Sequence, residues 1–525
     1  MILSNFLVVF GIIFSIVFPI KAPTYFVIKE YVKPFERFDW RVATKSEYDV
    51  IIIGAGIGGL TCGSILAKRG YRVLILEQHY RGFCSSFERG NFIFNAGVED
   101  VSGLWERGTI SFLLREIGLN KDDLFVKNTI RYIFRGRSIE ANNLDDYIRI
   151  LSEIFPHESK NIVAFFDDAR RAYMECYSNV DYYGAPFPPE IIAKVFGVKK
   201  LVNYPREHPY FYDWLGKSYR QKLDEYFTDE DLEEFLCALL SYLGTTPERA
   251  SASAALTASL SYYLHGGYFP RGGAQRYAEA LKNVIERYGG KVLLRHKVDK
   301  IIVEEGVVKG VKVGEKIFQS SIVVSNANAK TTFLKLIGNL DREFINYIKG
   351  LKMSPSCFMV FLGVNLDLSN YPTIIKNLDD GYEMVINSNA DPNLAPKGKS
   401  SITILTYANY YDFPERGTEE YLKKKREITE KLIQKAEKVI PGLSKHIIVQ
   451  DAATPKTFER YTSMPEGAIY AFDQSIDVKR PYFKTPIKGL YLVGASTFPG
   501  GGIEGVTISG IICANDICGW KKRPD

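Results

Sequence analysis

Asp49-Val50-Ile51-Ile52-Ile53-Gly54-Ala55-Gly56-Ile57-Gly58-Gly59 is the stretch whose reading decides the fold. Val50 to Ile53 is β-branched, apolar and ended by glycine, which reads as a buried strand. Leu60 to Lys68 continues with helical spacing, and Gly70 stops it. Arg72-Val73-Leu74-Ile75-Leu76 is then a second strand that ends at Glu77. Strand, G-x-G-x-x-G, helix, strand and acid in this order form the complete βαβ context of a dinucleotide site. Gly54 permits the tight turn, and Gly56 lets the backbone approach a pyrophosphate. Gly59 allows close packing of helix on strand, with Gly58 beside it in the same corner. The helix N-terminus offers free N–H groups to phosphate. Glu77 is placed to accept hydrogen bonds from a ribose, and its charge disfavours a 2′-phosphate.

The opening motif does not separate one dinucleotide from another; the far end of the chain does. Gly489-Leu490-Tyr491-Leu492-Val493-Gly494 is a strand running into glycine, followed by Ala495-Ser496-Thr497-Phe498-Pro499-Gly500-Gly501-Gly502. Ile503 to Trp520 then reads as a helix with small residues on one side. A backbone bare of side chains approaches something flat, and a helix start aims N–H groups at developing negative charge. A flavin, anionic near N1 and C2=O when reduced, is such a partner.

These two ends together resemble the family of bacterial phytoene desaturases, carotenoid isomerases and retinol saturases, which are FAD-dependent oxidoreductases. Internal stretches agree. Gly266-Gly267-Tyr268-Phe269-Pro270-Arg271-Gly272-Gly273 precedes a helix (274–288) and Gly289-Gly290-Lys291-Val292, similar to the family's second passage through its FAD domain. Val298 with Ile301, Ser325-Asn326, and Thr454-Pro455 through Gly467 resemble further family segments, so the likeness spans roughly residues 47 to 520. Only Gly82 stands where the family carries a glycine pair, and Asn95 stands where it usually carries Asp. The resemblance implies an α/β fold: a Rossmann-type, GR2-like FAD-binding domain with an inserted α+β substrate domain. It implies that FAD meets Gly54, Gly56, Gly58, Gly59, Glu77, Gln78, Gly82, Cys84, Ser85, Val298, Asn326, Gly494, Ala495, Ser496, Gly502, Ile503 and Val506.

On this reading residues 46–105, 265–345 and 465–525 build the FAD-binding domain, and 106–264 and 346–464 the substrate domain. The first insertion shows helical spacing at 110–117, 144–155, 160–177 and 229–243; the second has strand-like runs at 357–364 and 401–407 and a charged helix over 419–440. Tyr204, Tyr210, Phe211, Tyr212 and Trp214 read first as a cluster that plugs the substrate domain, with a polyene channel as the alternative.

Residues 1–20 are apolar and uncharged, about the length of a spanning helix, and are followed by six scattered lysines and arginines up to Lys45. They predict a membrane anchor or signal-like segment (1–22) and a basic linker (23–45), with the catalytic part membrane-associated on the cytoplasmic side. A net charge of +6 spread over 525 residues carries no clustered basic face, so a nucleic-acid partner is not indicated. Seven cysteines without a C-x-x-C pair and six dispersed histidines indicate neither a disulfide framework nor a metal site.

No triad or paired-carboxylate signature is visible, as suits chemistry carried by a flavin. The candidate catalytic carboxylates are Glu504, Glu99 and Asp100, set against helix-start stabilisation for Glu504 and a surface turn for the other two. The leading expectation is a desaturase-type oxidoreductase acting on a long isoprenoid polyene at the membrane, with a quinone or oxygen as electron acceptor. The alternatives are a carotenoid cis–trans isomerase without net redox change, a saturase-like reductase, an amine oxidase, and a non-catalytic prenyl-lipid carrier of the GDP dissociation inhibitor type.

Overall fold

The β-branched run and its successors assemble into a five-stranded, wholly parallel sheet in a computed structural model that describes residues 47–82, 84–338 and 340–520. Its strands in chain order are β1 (Val50–Ile53), β2 (Val73–Leu76), β3 (Lys291–Leu293), β4 (Val323–Ser325) and β5 (Leu490–Leu492). They lie side by side as β5-β4-β1-β2-β3. β1 and β2 are buried at every position, as expected of a sheet covered on both faces. Helices α1 (Ile57–Lys68), α2 (Ala274–Arg287) and α3 (Ile503–Ile517) pack together on one face. An antiparallel meander of Lys300–Glu304, Val307–Val313 and Lys316–Gln319 and the segment 329–351 cover the other. α1 is apolar around its whole circumference, which explains why eleven of its twelve residues are buried.

The insertions carry a second, seven-stranded sheet. Its spatial order is Ile447–Ala453, Ser356–Val364, Ser400–Ala408, Tyr382–Ile386, Ile374–Asn377, Ile130–Phe134 and Arg137–Glu140. One pair in it is parallel: Ile374–Asn377 beside Ile130–Phe134, with Ile374 opposite Ile130. That pair joins the two insertions into one sheet, so the first insertion is not only helical as its periodicity indicates. The missed strand at 130–134 alternates partly exposed and buried residues over five positions, too short to stand out by period. The helix Glu419–Glu437 covers one face through Tyr421, Leu432, Ile433 and Ala436. The helices Ser159–Cys176, Tyr219–Leu223 and Glu230–Leu236 pack toward the other around Phe165, Phe166 and Phe235. Trp214 and Tyr204 are buried, and Tyr210 is exposed at the surface.

Among the described residues no helix is long and apolar enough to cross a membrane. The expected anchor and basic linker, residues 1–45, lie outside the described residues.

Candidate functional site

The carboxyl ends of β1 and β4 mark the point where the strand order turns back, the place at which open α/β sheets bind ligands. β1 runs into Gly54, whose φ of +94° is accessible to glycine without a Cβ clash. Side chains are excluded from the corner. A Cβ on Gly56 would stand 2.6 Å from Asn326 Nδ2, and one on Gly58 2.8 Å from Gly494 Cα. On Gly82 it would stand 2.1 Å from the Ala55 carbonyl oxygen. Gly59 packs against the Gly54 carbonyl in the same way, 2.5 Å from a notional Cβ. Asn326, one residue beyond β4, donates from Nδ2 to the Gly54 carbonyl at 3.4 Å. The two glycine-rich ends of the chain therefore meet across a single asparagine.

α1 starts after Gly56 with no side-chain cap and no acid in its first turn. Leading N–H groups left without a side-chain acceptor form an anion site. Glu77 is buried at the end of β2, where Oε2 accepts the Ala55 N–H and Oε1 the His79 N–H, both at 2.8 Å. Burial raises its carboxyl from the usual range, while those N–H groups oppose the shift. The carboxylate is thus fixed where a ribose is expected. A backbone cradle without Cβ atoms, an uncapped helix start and a fixed acid are the donor and acceptor set that a dinucleotide requires, so these residues fit FAD.

The remaining expected residues separate into two groups. Gly56, Gly58, Cys84, Asn326, Gly494, Ala495, Gly502, Ile503 and Val506 line one cavity of about 850 Å³. Gln78 instead donates to Ser463 Oγ at 3.1 Å, and the Ser85 carbonyl accepts the Ala96 N–H. Ser496 Oγ accepts the Ala329 N–H at 3.0 Å, and Val298 turns its side chain into the core behind the sheet. Cys84 donates its thiol to the Ala274 carbonyl, and burial pushes it up to about 12, so it is a neutral thiol. α3 begins after Gly502, whose φ is +89°, again with no side-chain cap.

The same cavity is lined by all the candidate carboxylates. The surface-turn reading of Glu99 and Asp100 is overturned: Glu99 is buried and Asp100 half-buried, and both line the cavity wall. Asn95 Nδ2 donates to Glu99 Oε2 at 3.3 Å, and the Thr403 side chain acts on the same carboxyl. Burial pushes Glu99 up to about 8. Asp100 accepts from Asn128 Nδ2 at 2.7 Å and from the Tyr242 hydroxyl at 2.9 Å, and burial raises it to about 6. Glu504 accepts from the hydroxyls of Ser102 at 2.6 Å and Tyr177 at 2.8 Å, so both its oxygens are engaged. Burial raises it too.

Sequence reading missed Tyr177, Tyr242, Lys376 and Glu383, all of which line the cavity. None belongs to a motif; a lysine in a strand that is otherwise apolar at Ile374 and Ile375 was the one available signal.

Comparison with known proteins agrees with this geometry. Residues 57–518 match the model of the flavin containing amine oxidoreductase family. The chain is 27% identical over 515 residues to a chloroplastic prolycopene isomerase of an Oncidium hybrid cultivar, covering 92% of this chain and 86% of that protein. It is 26% identical over 511 residues to a 4,4'-diapophytoene desaturase of Methylomonas sp, covering 89% and 94%. Among solved structures an oxidoreductase from Methanosarcina mazei superposes with a TM-score of 0.64 at 18% identity, covering 89% of this chain and 99% of that one. With the glycine cradle, the fixed Glu77 and a family match over nearly the whole described chain, this protein belongs to the flavin containing amine oxidoreductases and is an FAD-dependent oxidoreductase.

Proposed function

We propose that the protein is a desaturase-type enzyme acting on a long isoprenoid polyene. The observation that carries this reading is continuity: one cavity of about 850 Å³ runs from the glycine corner to the apolar wall of the inserted domain. Phe187, Ile192, Leu201, Tyr204, Phe211 and Leu215 line it, a surface suited to an extended hydrocarbon. The similarity to a prolycopene isomerase and to a diapophytoene desaturase supports the same substrate class.

FAD, when bound, supplies a two-electron hydride acceptor. Gly56 and Gly58, which line the cavity, would leave space for its pyrophosphate, Gly59 and Gly82 let the surrounding backbone close up, Glu77 would hold its ribose, and Asn326 keeps the two glycine segments together. The N–H groups after Gly502 would serve the flavin end. The apolar wall positions the chain and excludes water. Asp100 and Glu99 differ in their environments and so in their protonation at neutral pH. Asp100, ionised at neutral pH, accepts the proton lost beside the oxidised carbon. Glu99 stays protonated at neutral pH and adds no second charge beside Asp100. Glu504, saturated by Ser102 and Tyr177, is a positioning residue at the start of α3.

The substrate is supplied by a membrane. The helices Pro189–Phe196 and Val198–Glu207 give Ile192, Leu201 and Tyr204 to the cavity wall and leave Phe196, Val198 and Val202 exposed beside Lys199 and Lys200. Apolar side chains with flanking lysines suit a lipid interface. Flotation with anionic liposomes is expected to carry the wild type upward and to leave Val198→Glu/Val202→Glu behind.

A second reading, isomerisation without net redox change, is favoured by the likeness to the prolycopene isomerase. Incubating the flavin-loaded protein with a polyene in liposomes, with and without a quinone or oxygen, separates the readings. New double bonds that require the acceptor establish desaturation, and geometric isomers that do not require it establish isomerisation. A protein that binds polyene, takes up no flavin and changes neither is a carrier.

A further inference from the structure

Across the second sheet runs a row of directly paired residues: Ile139, Tyr132, Lys376, Glu383, Leu405, Met359 and Ala453. Register partners share a face. Lys376, Glu383, Leu405 and Met359 all line the cavity, so this row is part of its floor. Five of its seven positions carry aliphatic or aromatic side chains, and the remaining two are a lysine and a glutamate bonded to each other. Their side chains are 4% and 9% exposed. An ion pair set in an apolar floor is a poor source of stability, since desolvating each charge costs several kcal/mol. A hydrocarbon passing over it repays none of that cost.

The surroundings are prepared for a polar ligand group. Lys376 Nζ lies 4.1 Å from the centre of the Tyr242 ring, whose hydroxyl donates to Asp100. Its carboxylate partner is Glu383, and burial lowers Lys376 to about 7 against the opposing pull of the Asp100 charge; as ammonium or as amine it keeps N–H groups for another acceptor. Lys376 and Glu383 both line the cavity, so the N–H groups left on Lys376 and the lone pairs left on Glu383 border the same space.

We propose that Lys376 and Glu383 form a subsite for an oxygen function, a hydroxyl or a carbonyl, at one end of the polyene. The inference rests on the polyene reading above and narrows it to oxygenated chains: Lys376 donates to the oxygen, and Glu383 accepts from a hydroxyl. A plain hydrocarbon leaves the spare N–H groups of Lys376 without an acceptor, and the difference between a satisfied and an unsatisfied buried polar group is what a binding site uses to discriminate.

The test is equilibrium binding to the flavin-loaded protein, followed by the fluorescence of a matched polyene pair. The probes are all-trans-retinol and the hydrocarbon in which a methyl group replaces its CH2OH. Wild type is expected to bind the alcohol at least about tenfold more tightly. In Lys376→Met/Glu383→Met, where the pair becomes two apolar side chains of similar length, the ratio is expected to fall to about one. Retained flavin absorbance and an unchanged unfolding temperature establish that this variant is folded. Equal binding of the two probes by wild type, a measurement that needs no variant, overturns the subsite. A preference that survives in the double variant overturns it as well. If wild type binds neither probe, the polyene reading falls, and the subsite falls with it.

Discussion

At the scale of single residues the cradle is unforgiving because its neighbours are backbone or locked side chains. Gly56→Val places a branched side chain against Asn326, whose amide is already held by the Gly54 carbonyl. The expected result is at least a tenfold loss of FAD affinity with little change in the circular dichroism, read from flavin absorbance after gel filtration. Glu99 gives a prediction in pH. Its carboxyl is raised from 4.5 to about 8 by burial, so between those values the folded chain holds a proton that the unfolded chain has lost. Stability from this group is complete below pH 4.5 and is lost as pH rises toward 8, with an upper bound of about 5 kcal/mol. Glu99→Gln carries no such proton, and its stability is expected to lack this decline when denaturant unfolding is measured at pH 5 and pH 8. If both proteins decline equally, Glu99 is not the titrating group.

Among the elements, α3 is the part on which both halves of the site depend. It starts after Gly502 beside the cavity and carries in its last turn Asp516, whose carboxylate accepts from Lys484 at 2.7 Å, from Lys194 at 2.5 Å and from Trp520 Nε1 at 2.9 Å. Lys194 lies on the helix Pro189–Phe196, which also forms cavity wall. Asp516 is therefore a pin between the flavin helix and the mouth of the inserted domain. Its side chain is 2% exposed, so Asp516→Ala strands the largely buried Lys484 without its counter-charge. A loss of about 3 kcal/mol is expected in denaturant unfolding. Faster proteolysis within 186–208 is expected to accompany it.

For the whole molecule, the site proposed for FAD draws on segments far apart in the chain: Gly54–Gly59, Asn326 and Gly494–Ile503. A ligand that touches all of them stabilises the fold as a unit. FAD at about one hundred times its Kd is expected to add roughly 2.7 kcal/mol and to raise the midpoint of one shared thermal transition. Separate shifts of two transitions would show that the inserted domain unfolds independently of the dinucleotide corner.

The sequence by itself determined the dinucleotide half. Glycine is demanded wherever backbone meets backbone, so Gly54, Gly56 and Gly494 stand out in a linear string, and the unbroken apolar runs of β1, α1 and β2 mark elements covered on every side. It also marked Glu99, Asp100 and Glu504, but not their burial, since a carboxylate in a loop carries no local sign of what folds over it. Only the tertiary structure decided the floor of the cavity. Lys376 faces Glu383 because two strands pair in a given register, and Lys376 comes within reach of the Asp100 charge because a second insertion, joined through Ile130 and Ile374, completes the sheet. Such a juxtaposition has no period and no motif; it exists only once distant segments have packed.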